Sequence, residues 1–130
     1  MISFQQKGLW PLFLFHTMKY HVTKLDHRHS HKDSFDYMLE FSKNTRVGTG
    51  VLDFDRSRRW MNQTWGWSQD VETRGKLKSR KADPTNTVVQ DDDINRHWAY
   101  SVQYNDYRIY LNSSKELNWF ALAHPNESNS

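Results

Sequence analysis

Residues 97–124 read HWAYSVQYNDYRIYLNSSKELNWFALAH, and the reading of this stretch decides the fold. Side chains along a strand point alternately to opposite faces. Trp98, Tyr100, Val102 and Tyr104 therefore share one face of a first strand, and Tyr107, Ile109 and Leu111 share one face of a second. Between them Asn105-Asp106 is a favoured tight-turn pair. NSSK, residues 112–115, supplies another turn, and ELNWFALAH, residues 116–124, reads as a third strand. The expectation is a three-stranded antiparallel meander.

The same alternation appears near the start of the chain. Met18, Tyr20 and Val22 face one way, and Lys19, His21 and Thr23 face the other. Phe35, Tyr37, Leu39 and Phe41 then oppose Asp36, Met38 and Glu40, so a hairpin is expected around HRHSHKDS, residues 27–34. VGTG at 47–50 is a glycine-bearing turn. LDFDRSRRWMNQTWG at 52–66 reads as a helix capped by Asp53 or Asp55. Phe54, Met61 and Trp65 fall near one face of it, and Gly66 is its stop. A second start follows at Ser68, with Asp70 and Glu72 in its first turn. RGKLKSRKADPTNT at 74–87 reads as an exposed basic loop, and residues 78–93 are expected to be mobile.

The expected fold is thus α+β. An antiparallel sheet of about five strands, an N-terminal hairpin plus the C-terminal meander, carries one or two helices on one face. Residues 18–124 form the single domain, residues 1–17 an N-terminal extension ahead of a second methionine, and residues 125–130 a flexible polar tail.

Composition narrows the chemistry. A chain of 130 residues suits one domain, and an aromatic share of 15% is high for a disordered one. The absence of cysteine excludes disulfides, thiolate metal sites and thiol catalysis. It fits a reducing compartment, and a cytoplasmic location is expected. The longest apolar run, Leu9 to Phe15, falls far short of the roughly 20 residues that span a bilayer. A net charge of +3 permits nucleic acid as a partner without requiring it. There is no Walker loop, no G-x-S-x-G elbow and no H-E-x-x-H pair.

Three groups of residues could carry function. If residues 27–33 are extended, His27, His29, His31 and Asp33 share a face and could chelate a divalent metal such as zinc or manganese, giving a metal-dependent hydrolase or nuclease. Arg28 and Lys32 interleave with them, and a turn here would splay the rings. Asp53 and Asp55 form a D-x-D pair suited to Mg²⁺, but Asp55 stands three and four residues before Arg58 and Arg59, the spacing of helix-surface ion pairs. The third group is basic and aromatic. Arg56, Arg58 and Arg59 precede Arg74, Lys76, Lys78, Arg80 and Lys81, with Trp60 and Trp67 nearby. Cations beside stacking aromatics describe a binding surface for nucleic acid or protein. In WGWS, residues 65–68, one tryptophan should pack inward and the other lie at the rim.

VLDFDRSRRWMNQTWGWSQDVE (51–72) and HWAYSVQYNDYRIYLNSSKELNWFALAHP (97–125) resemble small proteins of large tailed bacteriophages. The resemblance implies a non-enzymatic accessory protein that binds a host or viral macromolecule in the host cytoplasm, or a minor virion component. The leading expectation is therefore a small non-enzymatic binding protein without a cofactor. The metal-dependent hydrolase and a virion protein that self-assembles through sheet edges are the alternatives.

Overall fold

The computed structural model describes residues 18–41, 49–103 and 106–126. Strands β1 (Tyr20–Lys24) and β2 (Tyr37–Phe41) form the N-terminal hairpin. Helix α1 (Thr49–Trp65) and helix α2 (Val71–Ala82) follow, then a short 3-10 turn at Asp91–Asp93. Strands β3 (Trp98–Ser101) and β4 (Tyr107–Leu111) come next, and helix α3 (Ser114–Ala123) closes the domain. The strands make one sheet of order β1-β2-β4-β3, antiparallel at every step. The α+β class is as expected, with four strands among the described residues rather than about five.

Alternation along the strands builds two cores. On one face Leu39, Phe41, Ile109, Leu111 and Trp98 meet Phe54 and Met61 of α1 and Phe120 of α3. On the other, Met38, Ala99 and Tyr110 meet Leu25, Phe35 and Val71. Helices therefore cover both faces rather than one: α1 and α3 lie on the first, and α2 docks its first turn on the second.

The expected last strand of the meander is a helix. Ser113 caps α3, accepting from the Lys115 amide at 3.3 Å and donating to the Glu116 carboxylate. Ser-x-x-Glu is a helix-start signal. Leu117, Phe120 and His124 then recur at helical spacing on the buried side. The expected basic loop at 74–87 is helical as far as Ala82. Asp70 accepts from the Thr73 amide at 3.0 Å, and Arg80 and Lys81 in the last turn complement the helix dipole. Helix α1 begins at Thr49, so Asp53 is not its cap. It sits buried inside the helix, beside the Lys19 amide and 3.5 Å from Arg56.

Pro125 and Asn126 are tied to the start of β1. The Met18 amide donates to the Pro125 carbonyl, and the Asn126 side chain brackets the Tyr20 backbone. Buried Tyr20 donates its hydroxyl to the His124 carbonyl at 2.9 Å, and burial pushes its pKa up to about 12. The expected extension at 1–17, the Tyr104-Asn105 end of the β3–β4 connection and the tail at 127–130 lie outside the described residues. Among the described residues no helix is long and apolar enough to cross a membrane.

Candidate binding groove

The connection between α1 and α2 positions the most exposed tryptophan among the described residues. Gly66 ends α1 with φ of +91°, a backbone conformation that side-chain-bearing residues adopt only with strain. Around it the Asn95 side chain acts as a clasp. Its amide nitrogen reaches the carbonyls of Trp65 at 3.0 Å, Gly66 at 3.1 Å and Trp67 at 3.1 Å. Its oxygen accepts from the His97 amide at 2.8 Å. The Trp98 indole donates to the Gly66 carbonyl at 2.8 Å, and Ser68 donates its hydroxyl to the Trp98 carbonyl at 2.7 Å. Asp70 then bridges to Tyr100. The segment thus runs along the outer edge of β3 and covers it.

This geometry separates the two tryptophans of WGWS as expected. Trp65 turns in, edge-on to Trp60 at 5.2 Å and stacked on His97 at 5.8 Å. Trp67 points out and is 68% exposed. A groove of about 630 Å³ opens between α1 and the β3 side of the sheet, with Trp67, Trp98 and Tyr100 on one wall. Leu52, Asp55, Arg59 and Asn62 form the other, spaced three, four and three residues apart along a single helical face. Arg58 lies between, its guanidinium 4.5 Å from the Tyr100 ring centre and 5.3 Å from that of Phe54.

The basic and aromatic residues read from the sequence do not form one surface. Arg58, Arg59 and Trp67 share the groove. Arg56 leans on Asp53, and Trp60 packs edge-on against Phe120 and His124 between α1 and α3. Arg74 is buried, its guanidinium 4.6 Å from the centre of the Phe35 ring and its Nε donating to the Asn95 carbonyl. It is a packing residue. Lys76 and Arg80 lie on the exposed side of α2. Lys78 donates to Ser34 Oγ at 2.7 Å and lines a cleft with Lys81 and Arg96. Trp98, Tyr100 and Leu52 also line the groove and were not read from the sequence as site residues. Only the tertiary fold brings them to α1 and the 66–68 turn.

Residues 27–33 do not extend. Backbone bonds from His29 to Asp26 and from Ser34 and Phe35 to His31 wind them into consecutive turns. Period-two spacing then no longer places the rings on one face. His29 Nδ1 accepts from the Asp26 amide at 2.9 Å, His31 lies edge-on to Tyr110 at 4.9 Å, and His27 and Asp33 are exposed. Arg28 grips Asp26, and its hydrogen bonds hold that carboxyl down at about 2. No group of three or more His, Asp or Glu among the described residues is placed to hold a metal ion.

A part-buried polar pair lies outside the groove lining. His97 Nδ1 lies 2.8 Å from the buried Glu116 carboxylate, joining the start of β3 to the first turn of α3. The sequence matches no family model, and no curated protein or solved structure shows detectable similarity to it.

Proposed function

We propose that the protein is a non-enzymatic accessory protein that binds another protein through the α1–β3 groove. The observation that carries this reading is the composition of the groove. An exposed Trp67 stands opposite Leu52, with Arg59 and Asp55 beside it and Arg58 stacked on Tyr100. Trp, Tyr and Arg dominate the residues that anchor protein partners. A phosphate-tracking surface would need unbroken positive charge, whereas Asp55 lies in the wall and Arg58 already rests on an aromatic face. Nucleic acid is the second reading, favoured by the exposed cations of α2. The resemblance to tailed-phage proteins fits a viral product acting on a host protein in the host cytoplasm.

The test is retention of a partner by the full-length protein at low and high salt. A protein contact through the groove survives salt and is lost in Trp67→Ala and in Arg59→Glu. Binding that collapses with salt but survives both substitutions would assign the function to nucleic acid instead. Retention that ignores salt and both substitutions would rule out the groove.

A further inference from the structure

Helix α3 buries one side and leaves the other almost without charge. Glu116 and Phe120 are buried, and Leu117 packs against the first core. The exposed side carries Trp119 and Leu122, 58% and 70% exposed, three residues apart and so on one face. Lys115 is the only charged residue among the exposed positions of this helix, whereas the exposed side of α2 carries Lys76, Lys78, Arg80 and Lys81. Single exposed apolar residues are ordinary. A bulky apolar pair on one weakly charged helix face suits an apolar partner instead.

The sequence ahead of Met18 starts out beside that face. The Met18 amide donates to the Pro125 carbonyl at 3.1 Å, and Met18 pairs with Asn126 in a parallel bridge. Parallel neighbours advance in the same direction. Stepping back from Met18 therefore runs beside the chain that steps back from Asn126 into His124 and the end of α3. The fully buried Met18 side chain and the Tyr20 hydroxyl on the His124 carbonyl fix this junction. Phe15 stands three residues before Met18 and so lies no more than about 11 Å from it. Leu122 stands three residues before Pro125, and Trp119 is about 4.5 Å further along the helix axis. Leu9–Phe15, the longest apolar run in the sequence, reaches up to about 20 Å if extended, enough to pass both.

We infer that Leu9–Phe15 docks on the Trp119–Leu122 face of α3 in the same chain. The run has no charged residue from Gly8 to Phe15, and its contact with the face removes apolar surface from water on both sides. The tether favours the chain's own segment over a second copy. Two residues, His16 and Thr17, join the run to the anchored Met18, and a link that short holds it at an effective concentration on the order of millimolar. A second copy competes only at its own concentration. Neither Trp119 nor Leu122 lines the α1–β3 groove, so the contact is independent of the function proposed above.

The test is nuclear magnetic resonance on the full-length protein carrying one nitroxide label. The chain has no cysteine, so Asn118→Cys gives a single label beside the face, and exposed Lys76→Cys gives a control on the opposite side of the sheet. Expected is loss of the amide signals of Leu9–Phe15, Pro11 apart, with the label at position 118 and their survival with the label at position 76. Adding Trp119→Ser and Leu122→Ser restores them, and both side chains are exposed, so the fold tolerates the change. An equal mixture of nitroxide-labelled protein and isotope-enriched protein without the nitroxide keeps the signals of the enriched copy. Survival of the signals beside position 118, equal loss with either label, or no recovery in the double substitution would overturn the inference. Loss in the mixture would overturn it too, by giving the face to a second copy.

Discussion

Asn95→Ala should cost the fold about 2 kcal/mol, and the figure follows from the clasp geometry. The amide nitrogen carries two N–H groups, so the three carbonyls of Trp65, Gly66 and Trp67 share them. On the acceptor side the His97 amide at 2.8 Å is a good bond, and the Trp98 amide at 3.4 Å adds little. Three effective bonds at roughly 1 kcal/mol each set a ceiling of about 3 kcal/mol. Gly66 and Trp67 are exposed, so water takes over part of the donor role and lowers the expected loss. Urea unfolding followed by tryptophan fluorescence reads this as a lower midpoint at unchanged slope. Asn95→Asp separates the two halves of the clasp. It keeps the acceptor for His97 but sets a carboxylate against three carbonyl oxygens, so it should be no more stable than the alanine variant. A loss below about 0.5 kcal/mol in Asn95→Ala, the range of ordinary surface changes, would refute the reasoning. So would wild-type stability in Asn95→Asp.

Two further outcomes follow from the same region. Gly66→Ala should cost about 1–2 kcal/mol through its φ of +91° alone. An added methyl meets nothing nearer than the Asn95 amide nitrogen at 3.8 Å, so a loss well beyond that range would point to crowding instead. For Glu116, burial opposes ionisation, but hydrogen bonds from His97, Ser113 and its own backbone amide outweigh it. They hold the carboxyl below its ordinary value of 4.5. The folded pKa lies below the unfolded one, so this stabilisation is complete above 4.5 and lost as pH falls through the folded value. Urea midpoints taken from neutral pH downward should fall in that acid range. Glu116→Gln should lower the neutral midpoint and flatten the fall, and an acid limb identical to wild type would remove Glu116 from the explanation.

Much of the fold was legible because strand patterning is local. The alternation placed Leu39, Phe41, Trp98, Ile109 and Leu111 in one core as read, but Phe35, read on their face, turns to the opposite core, Met38, read on the polar face, is buried beside it, and Val102 is exposed. The error at 116–124 has a plain cause. ELNWFALAH contains no clean period of two, and the Ser113–Glu116 capping pattern ahead of it is a helix signal that outweighs the pull of extending a meander. At 74–87 the density of Lys and Arg read as a loop. Four of those cations sit on the exposed side of a helix whose only buried members are Val71 and Arg74. Charge on a solvated helix face says nothing against the helix itself.

The candidate sites were less legible, and the reason is geometric. Residues adjacent along a helix step about 100° apart, so a run such as Arg56 to Trp60 is dispersed among different neighbours. Arg56 meets Asp53, Arg58 meets Tyr100, and Trp60 meets Phe120. A basic run in sequence therefore overstates the charge of any one surface. A sheet acts in the opposite sense. Glu40, Arg108 and Ser101 are separated by up to 68 residues along the chain, yet register sets them side by side. No local pattern announces such a row, because each member is a single polar residue in an otherwise alternating strand. The turn carrying His31 then contributes what the strands lack, a half-buried imidazole against Tyr110. The histidine-rich stretch thus contributes through the packing of His31 on β4 rather than through its own spacing.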